Sequence, residues 1–169
     1  YVVDTLKELV RINSVNPSLS PDGKGEVEIG TYIADALKDL GLAVTTFEIE
    51  PGRVNVVGVL KGTGGGRSLL LNAHMDTVGT EGMIIDPFGA EIVEGCLYGR
   101  GAQDMKGSLA AMLGAAKALV NNGIELAGDL LITAVADEEH ASIGTEDLVK
   151  HITADAALVT EPTDLTLCR

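Results

Sequence analysis

Val3, Leu6, Leu9 and Val10 recur at helical spacing and predict an amphipathic helix over residues 3–12. Residues 13–25 hold Asn, Ser, Pro and Gly and read as a loop. Ile29, Ile33, Leu37 and Leu40 share one face of a second predicted helix, residues 26–40, which Gly41 terminates. The pattern then changes to short apolar runs. Residues 42–49 and 54–60 read as strands, and the Gly-rich stretch 61–67 reads as a hairpin turn. Residues 68–74 form a short apolar run of the buried-strand type, followed by a long loop, 75–90. A small hairpin around Glu94-Gly95 is expected over 91–98, and a helix rich in small residues over 105–120. A buried strand at 129–136, a helix from 142 to 150 and a last buried strand at 156–160 complete the pattern. Strands alternating with helices predict an α/β fold, a layered sheet flanked by helices. No internal repeat or linker divides the chain.

Composition agrees with a packed domain. Of 169 residues, 46% are hydrophobic and 22% charged, which is globular rather than disordered. Aromatics are 3% and Trp is absent, so the core must be built from Val, Leu, Ile and Ala. A net charge of −13 repels phosphate backbones and anionic lipid, so neither nucleic acid nor a membrane is expected as a partner. Cys96 and Cys168 lack CxxC spacing and predict no disulfide framework. No apolar stretch is long enough to span a bilayer, and the start, Tyr1-Val2-Val3-Asp4, has no basic region ahead of an apolar one. A reducing, cytoplasmic location is the expectation.

Three predicted buried strands end in metal-competent side chains: His74-Met75-Asp76, then Asp137-Glu138-Glu139, then Glu161. Asp104 lies between the small hairpin and the Ala-rich helix. Ligands of open α/β sheets bind outside the carboxyl ends of the strands. Imidazole and carboxylate oxygens are the ligand set of catalytic zinc, and a carboxylate outside that set must then take a proton from water. The spacing in His74-Met75-Asp76 lets Asp76 hold the second imidazole nitrogen. Each piece alone has an ordinary explanation. A lone histidine after a strand is more often structural, and paired glutamates are usually a solvated helix start. Their joint placement after buried runs carries the weight, because an unpaired carboxylate there is costly.

Four segments also carry a family resemblance. The run from Leu69 through His74-Met75-Asp76-Thr77-Val78 resembles the first signature of the M20 metallopeptidases. Members of that family include acetylornithine deacetylase, succinyl-diaminopimelate desuccinylase, aminoacylase and the glutamate carboxypeptidases. Asp86-Pro87-Phe88 with Tyr98-Gly99-Arg100-Gly101-Ala102-Gln103-Asp104-Met105-Lys106-Gly107 resembles the second signature. Asp137-Glu138-Glu139 with Gly144-Thr145 resembles the third, and Thr160-Glu161-Pro162 the fourth. The segments fall in the family's order, and Gly79 departs from it where Pro is common.

The resemblance implies two zinc ions, with cobalt or manganese as substitutes. His74 and Glu161 would hold one zinc, Glu139 the other, and Asp104 would bridge them. Glu138 would be the general base, Asp76 would orient His74, and a non-proline cis peptide would fall at Asp104-Met105. The implied reaction is hydrolysis of an N-acyl amino acid or small peptide. The alternatives are a co-catalytic zinc aminopeptidase and a non-catalytic metal-binding homologue. The family's further zinc histidine follows a separate lid domain, and His140 and His151 do not match its position. Residues 1–169 are therefore expected to be the front part of one catalytic domain, inactive alone, without the lid and rear of a homodimeric enzyme.

Overall fold

The two helical periodicities form α1 (Val2–Arg11) and α2 (Val27–Asp39) in the computed structural model, which describes residues 1–163. Leu9 and Val10 of α1 and Ile29, Ile33 and Leu37 of α2 are buried as the spacing predicts, while Val3 is exposed. The apolar runs become β1 (Ala43–Glu50), β2 (Arg53–Leu60), β3 (Leu69–His74), β6 (Leu130–Val135) and β7 (Ala156–Val159). The small hairpin forms a separate sheet of β4 (Glu91–Val93) and β5 (Cys96–Tyr98). Helices α3 (Gly107–Asn121) and α4 (Ile143–His151) complete the elements.

The main sheet has the order β1-β2-β6-β3-β7. Its first two pairings, β1 with β2 and β2 with β6, are antiparallel, whereas β6, β3 and β7 run parallel. Residues 61–67 are therefore not a hairpin turn. They carry the chain across β6, which inserts between β2 and β3. The glycines serve this crossing: a side chain on Gly62 or Gly66 would collide with the backbone at residues 127–128.

Alternate residues of the sheet face two cores. Val56, Ile132 and Ala134 pack with Leu9, Ile33, Leu37, Leu109 and Leu113 from α1, α2 and α3. Val57 and Val135 pack with Leu148 of α4 on the opposite face. All of β6 is buried because it lies inside the sheet with a helix layer on either side. The expectation that β7 is buried fails: it is exposed along its length, since it sits at the sheet edge with only β3 beside it among the described residues. Cys96 is free and exposed, and Cys168 lies outside the described residues. No helix among the described residues is long and apolar enough to cross a membrane.

Candidate metal centre

Because β6, β3 and β7 are adjacent and parallel, their carboxyl ends open on one edge. His74 ends β3 level with Val135 of β6, and Asn72 is level with Val159 of β7. The residues just beyond those strands, Glu138 and Glu139 on one side and Glu161 on the other, thus flank the histidine. Asp104 arrives from the irregular turn Ala102–Lys106 ahead of α3, and its peptide bond to Met105 is cis. Met105 is fully buried beneath the site, with its sulfur 3.2 Å from the His74 amide nitrogen.

All of the metal and base candidates converge. His74 Nε2 lies 3.1 Å from Asp104 Oδ1, 3.7 Å from Glu161 Oε1 and 3.8 Å from Glu138 Oε2. Ligand atoms of His74, Asp104 and Glu139 lie within 4.8 Å of one another, as do those of His74, Glu138 and Glu161. Asp76 is placed differently from the expectation. The His74 Nδ1–H donates to the main-chain carbonyl of Asp76 at 2.8 Å, while the Asp76 carboxylate stays 3.7 Å away. That carboxylate instead accepts from the amides of Glu138 (3.0 Å) and Glu139 (3.2 Å) and from Asn16 Nδ2 (2.7 Å).

This arrangement fits a cation. A carbonyl only accepts, so the bond to Asp76 fixes the proton on Nδ1 and leaves the Nε2 lone pair facing carboxylates, which also accept. Acceptors facing acceptors need a proton or a metal between them. Two ligands of one tetrahedral zinc stand roughly 3.3–3.6 Å apart, given bonds of about 2.0–2.2 Å. The separations of His74 Nε2 from Asp104 Oδ1, 3.1 Å, and from Glu161 Oε1, 3.7 Å, bracket that spacing.

Electrostatics point the same way. Burial of His74 disfavours its charged form, but Asp76, Glu161 and Glu138 together outweigh this and raise its pKa. Burial raises the pKa of Glu139, reinforced by Asp104, Asp76 and Glu138 and opposed by His74. Glu161 is raised first by burial and then by Asp104 and Glu138, against the pull of His74. Each shift favours the protonated form, through acidic neighbours for the histidine and chiefly through burial for the glutamates. A cleft of ≈ 250 Å³ lined by Val78, Arg100, Gly101, Gln103, Asp104 and Glu139 opens beside these side chains.

Residues 70–168, more than half of the chain, match the model of peptidase family M20/M25/M40. The chain belongs to this family. It is 37% identical over 164 residues to an N-formyl-4-amino-5-aminomethyl-2-methylpyrimidine deformylase of Halalkalibacterium halodurans, covering 94% of this chain and 38% of the relative. It is 35% identical over 157 residues to a succinyl-diaminopimelate desuccinylase of Gluconacetobacter diazotrophicus, covering 88% and 40%. The M20 family metallo-carboxypeptidase Sso-CP2 of Sulfolobus solfataricus superposes with a TM-score of 0.81 at 25% identity, covering 94% of this chain and 36% of that one. The chain thus spans well under half the length of the relatives it matches.

Four buried polar residues of this M20 chain are not marked as buried by the sequence: Asn16, Glu26, Arg53 and Asp137, the last read there only as the start of the acidic run. Each sits where a solvated polar residue is ordinary, in a loop or at the end of a predicted element. Lys106, named in the sequence only as part of the second signature, is also buried. No local signal marks any of them, because their partners are distant in the sequence.

Proposed function

We propose that this chain carries the catalytic face of a metal-dependent amidohydrolase that cleaves the amide bond of an N-acyl amino acid or small peptide. The observation that supports this most is the meeting of His74, Asp104, Glu138, Glu139 and Glu161 at the carboxyl edge of β6, β3 and β7. His74 and Glu161 would hold one zinc, Glu139 the second, and Asp104 both. When bound, two zinc ions would polarise the amide carbonyl and acidify a water shared between them.

The chain's own side chains supply the rest. Glu138 Oε2 lies 3.8 Å from Nε2 and its side chain is 43% exposed, so it has room to turn toward the cleft. It would accept the proton of the attacking water and return it to the departing amine, which leaves the carboxylate unchanged over a cycle. The Nδ1 bond to the Asp76 carbonyl holds the His74 ring with Nε2 outward. The acyl-cleaving and carboxypeptidase names among the relatives support a small N-acyl or peptide substrate. In this reading residues 1–169 are the front part of a larger catalytic unit, so the tests use the full-length protein.

Calorimetric zinc titration of metal-stripped protein is the direct test, paired with hydrolysis of N-acyl amino acids. Asp104→Ala is expected to lose zinc at both positions. Glu138→Ala is expected to keep zinc and lose turnover by about 10²–10⁴-fold, the range for a general base. Tight binding of two zincs by Asp104→Ala would rule out its bridging role. Loss of zinc by Glu138→Ala would exchange the roles of Glu138 and Glu139. Turnover of free-amine peptides alone would make the enzyme an aminopeptidase.

A further inference from the structure

Behind Asp76, four polar residues that this chemistry does not use lie end to end inside the protein. Asn16 and Glu26 are 0% exposed, Asp137 1% and Arg53 5%. Arg53, the first residue of β2, grips Glu26 with both arms of its guanidinium, Nε to Oε2 at 2.6 Å and Nη2 to Oε1 at 2.7 Å. The same Nη2 donates to Asp137 Oδ1 at 3.0 Å. Glu26 also accepts from the Asp137 amide at 3.3 Å. Asn16 Nδ2 then joins the Asp137 carboxylate, at 2.9 Å, to that of Asp76, at 2.7 Å.

All these bonds converge on one short segment. Asp137 is a non-glycine residue at φ 65°, a left-handed conformation that costs free energy unless its surroundings enforce it. Its carboxylate is held by Arg53 and Asn16 and its amide by Glu26, while the next two amides are held by Asp76. The backbone of residues 137–139 is thereby fixed at every position, and that backbone aims the side chains of Glu138 and Glu139. Stability alone explains the arrangement poorly. A buried ion pair is typically no more stabilising than apolar packing, whereas removing one partner strands an uncompensated charge. Without Arg53, the carboxylates of Glu26, Asp137 and Asp76 would repel one another at the point where the turn is anchored.

We infer that Arg53, acting through Asp137 and Asn16, is a positioning residue that sets where Glu138 and Glu139 stand over His74. The inference rests on the reading of those carboxylates as a metal centre. Its test is zinc titration of the metal-stripped full-length protein in four variants, with Tm measured alongside. Arg53→Met and Asn16→Ala are each expected to weaken zinc binding by about 10–100-fold, the effect of removing a partner that orients a ligand. Arg53→Lys is not expected to restore it, because one ammonium cannot span both carboxylates as the fork does. Leu37→Ala, in the apolar core and away from the network, is expected to lower Tm while keeping wild-type affinity. Folded Arg53→Met and Asn16→Ala proteins with unchanged affinity would overturn the inference. A Leu37→Ala protein that loses affinity as much as they do would overturn it too. If Arg53→Met does not fold, Asn16→Ala decides, since it leaves the Arg53–Glu26 pair intact. A wild-type protein that binds no zinc would instead bring down the metal-centre reading, and this inference with it.

Discussion

Lys106 is 1% exposed, and its Nζ finds a neutral partner, the Ile12 carbonyl at 2.8 Å. Its stem packs at Gly101, where a side chain would press on Thr77 and on the lysine itself. Burial disfavours the ammonium and lowers the pKa from 10.5 to about 7. The sign of the consequence follows by linkage. Between about 7 and 10.5 the unfolded chain binds a proton there that the folded chain has released, so this group's contribution to stability rises with pH across that window. It is lost as pH falls through about 7. The urea midpoint of metal-free wild type should therefore climb relative to Lys106→Met between pH 7 and pH 10. Parallel curves for the two proteins would show that the amine keeps its proton in the fold. Nothing in the sequence around Asp104-Met105-Lys106-Gly107 could have revealed this, because the environment comes from residues of the first loop and of the 99–102 turn.

Elements were legible where burial follows a local period. α2 was readable from Ile29, Ile33 and Leu37, and β6 from an apolar run broken only by Thr133. The carboxyl-edge placement of His74, Glu138, Glu139 and Glu161 followed from those runs, because each acidic or imidazole side chain comes directly after one. Strand order was not legible. A Gly-rich segment between two strands looks the same whether the strands pair or, as here, a third strand enters from later in the chain. Gly144, noted in the sequence as part of a signature, acquires a physical role. Its amide donates to Ala136 O and its carbonyl accepts from Asn55 Nδ2 at 2.8 Å, so the start of α4 docks directly on the end of β6. A Cβ at this position would lie 2.6 Å from Ala136 N and 2.7 Å from Asn55 Oδ1. Gly144→Ala should cost about 1–3 kcal/mol, as overpacking does, and should be read as a lower urea midpoint. An unchanged midpoint would mean that α4 can slide on the sheet.

At the scale of the whole molecule, a net charge of −13 meets a site that adds carboxylates around a single imidazole. The fold therefore needs either protons or a cation at that edge, and the two compete. His74, Glu139 and Glu161 all have folded pKa values raised above their ordinary ones, the histidine by its acidic neighbours and the glutamates chiefly by burial. For a group raised on folding, the stabilisation is complete below its unfolded pKa and disappears as pH rises through the folded one. With unfolded values near 4.3 for glutamate and about 6.5 for histidine, the metal-free protein should lose stability from this source as pH rises above those values. Zinc acts in the opposite sense, because its ligands must be deprotonated and its binding releases their protons. Binding to the folded state alone raises stability in proportion to the logarithm of ligand concentration over Kd. The zinc-induced rise in Tm should accordingly be small at pH 5.5 and larger at pH 8, and chelator should abolish it at both. A rise of the same size at both pH values would show that zinc is not displacing protons from His74, Glu139 and Glu161, and would place its binding elsewhere on the acidic surface.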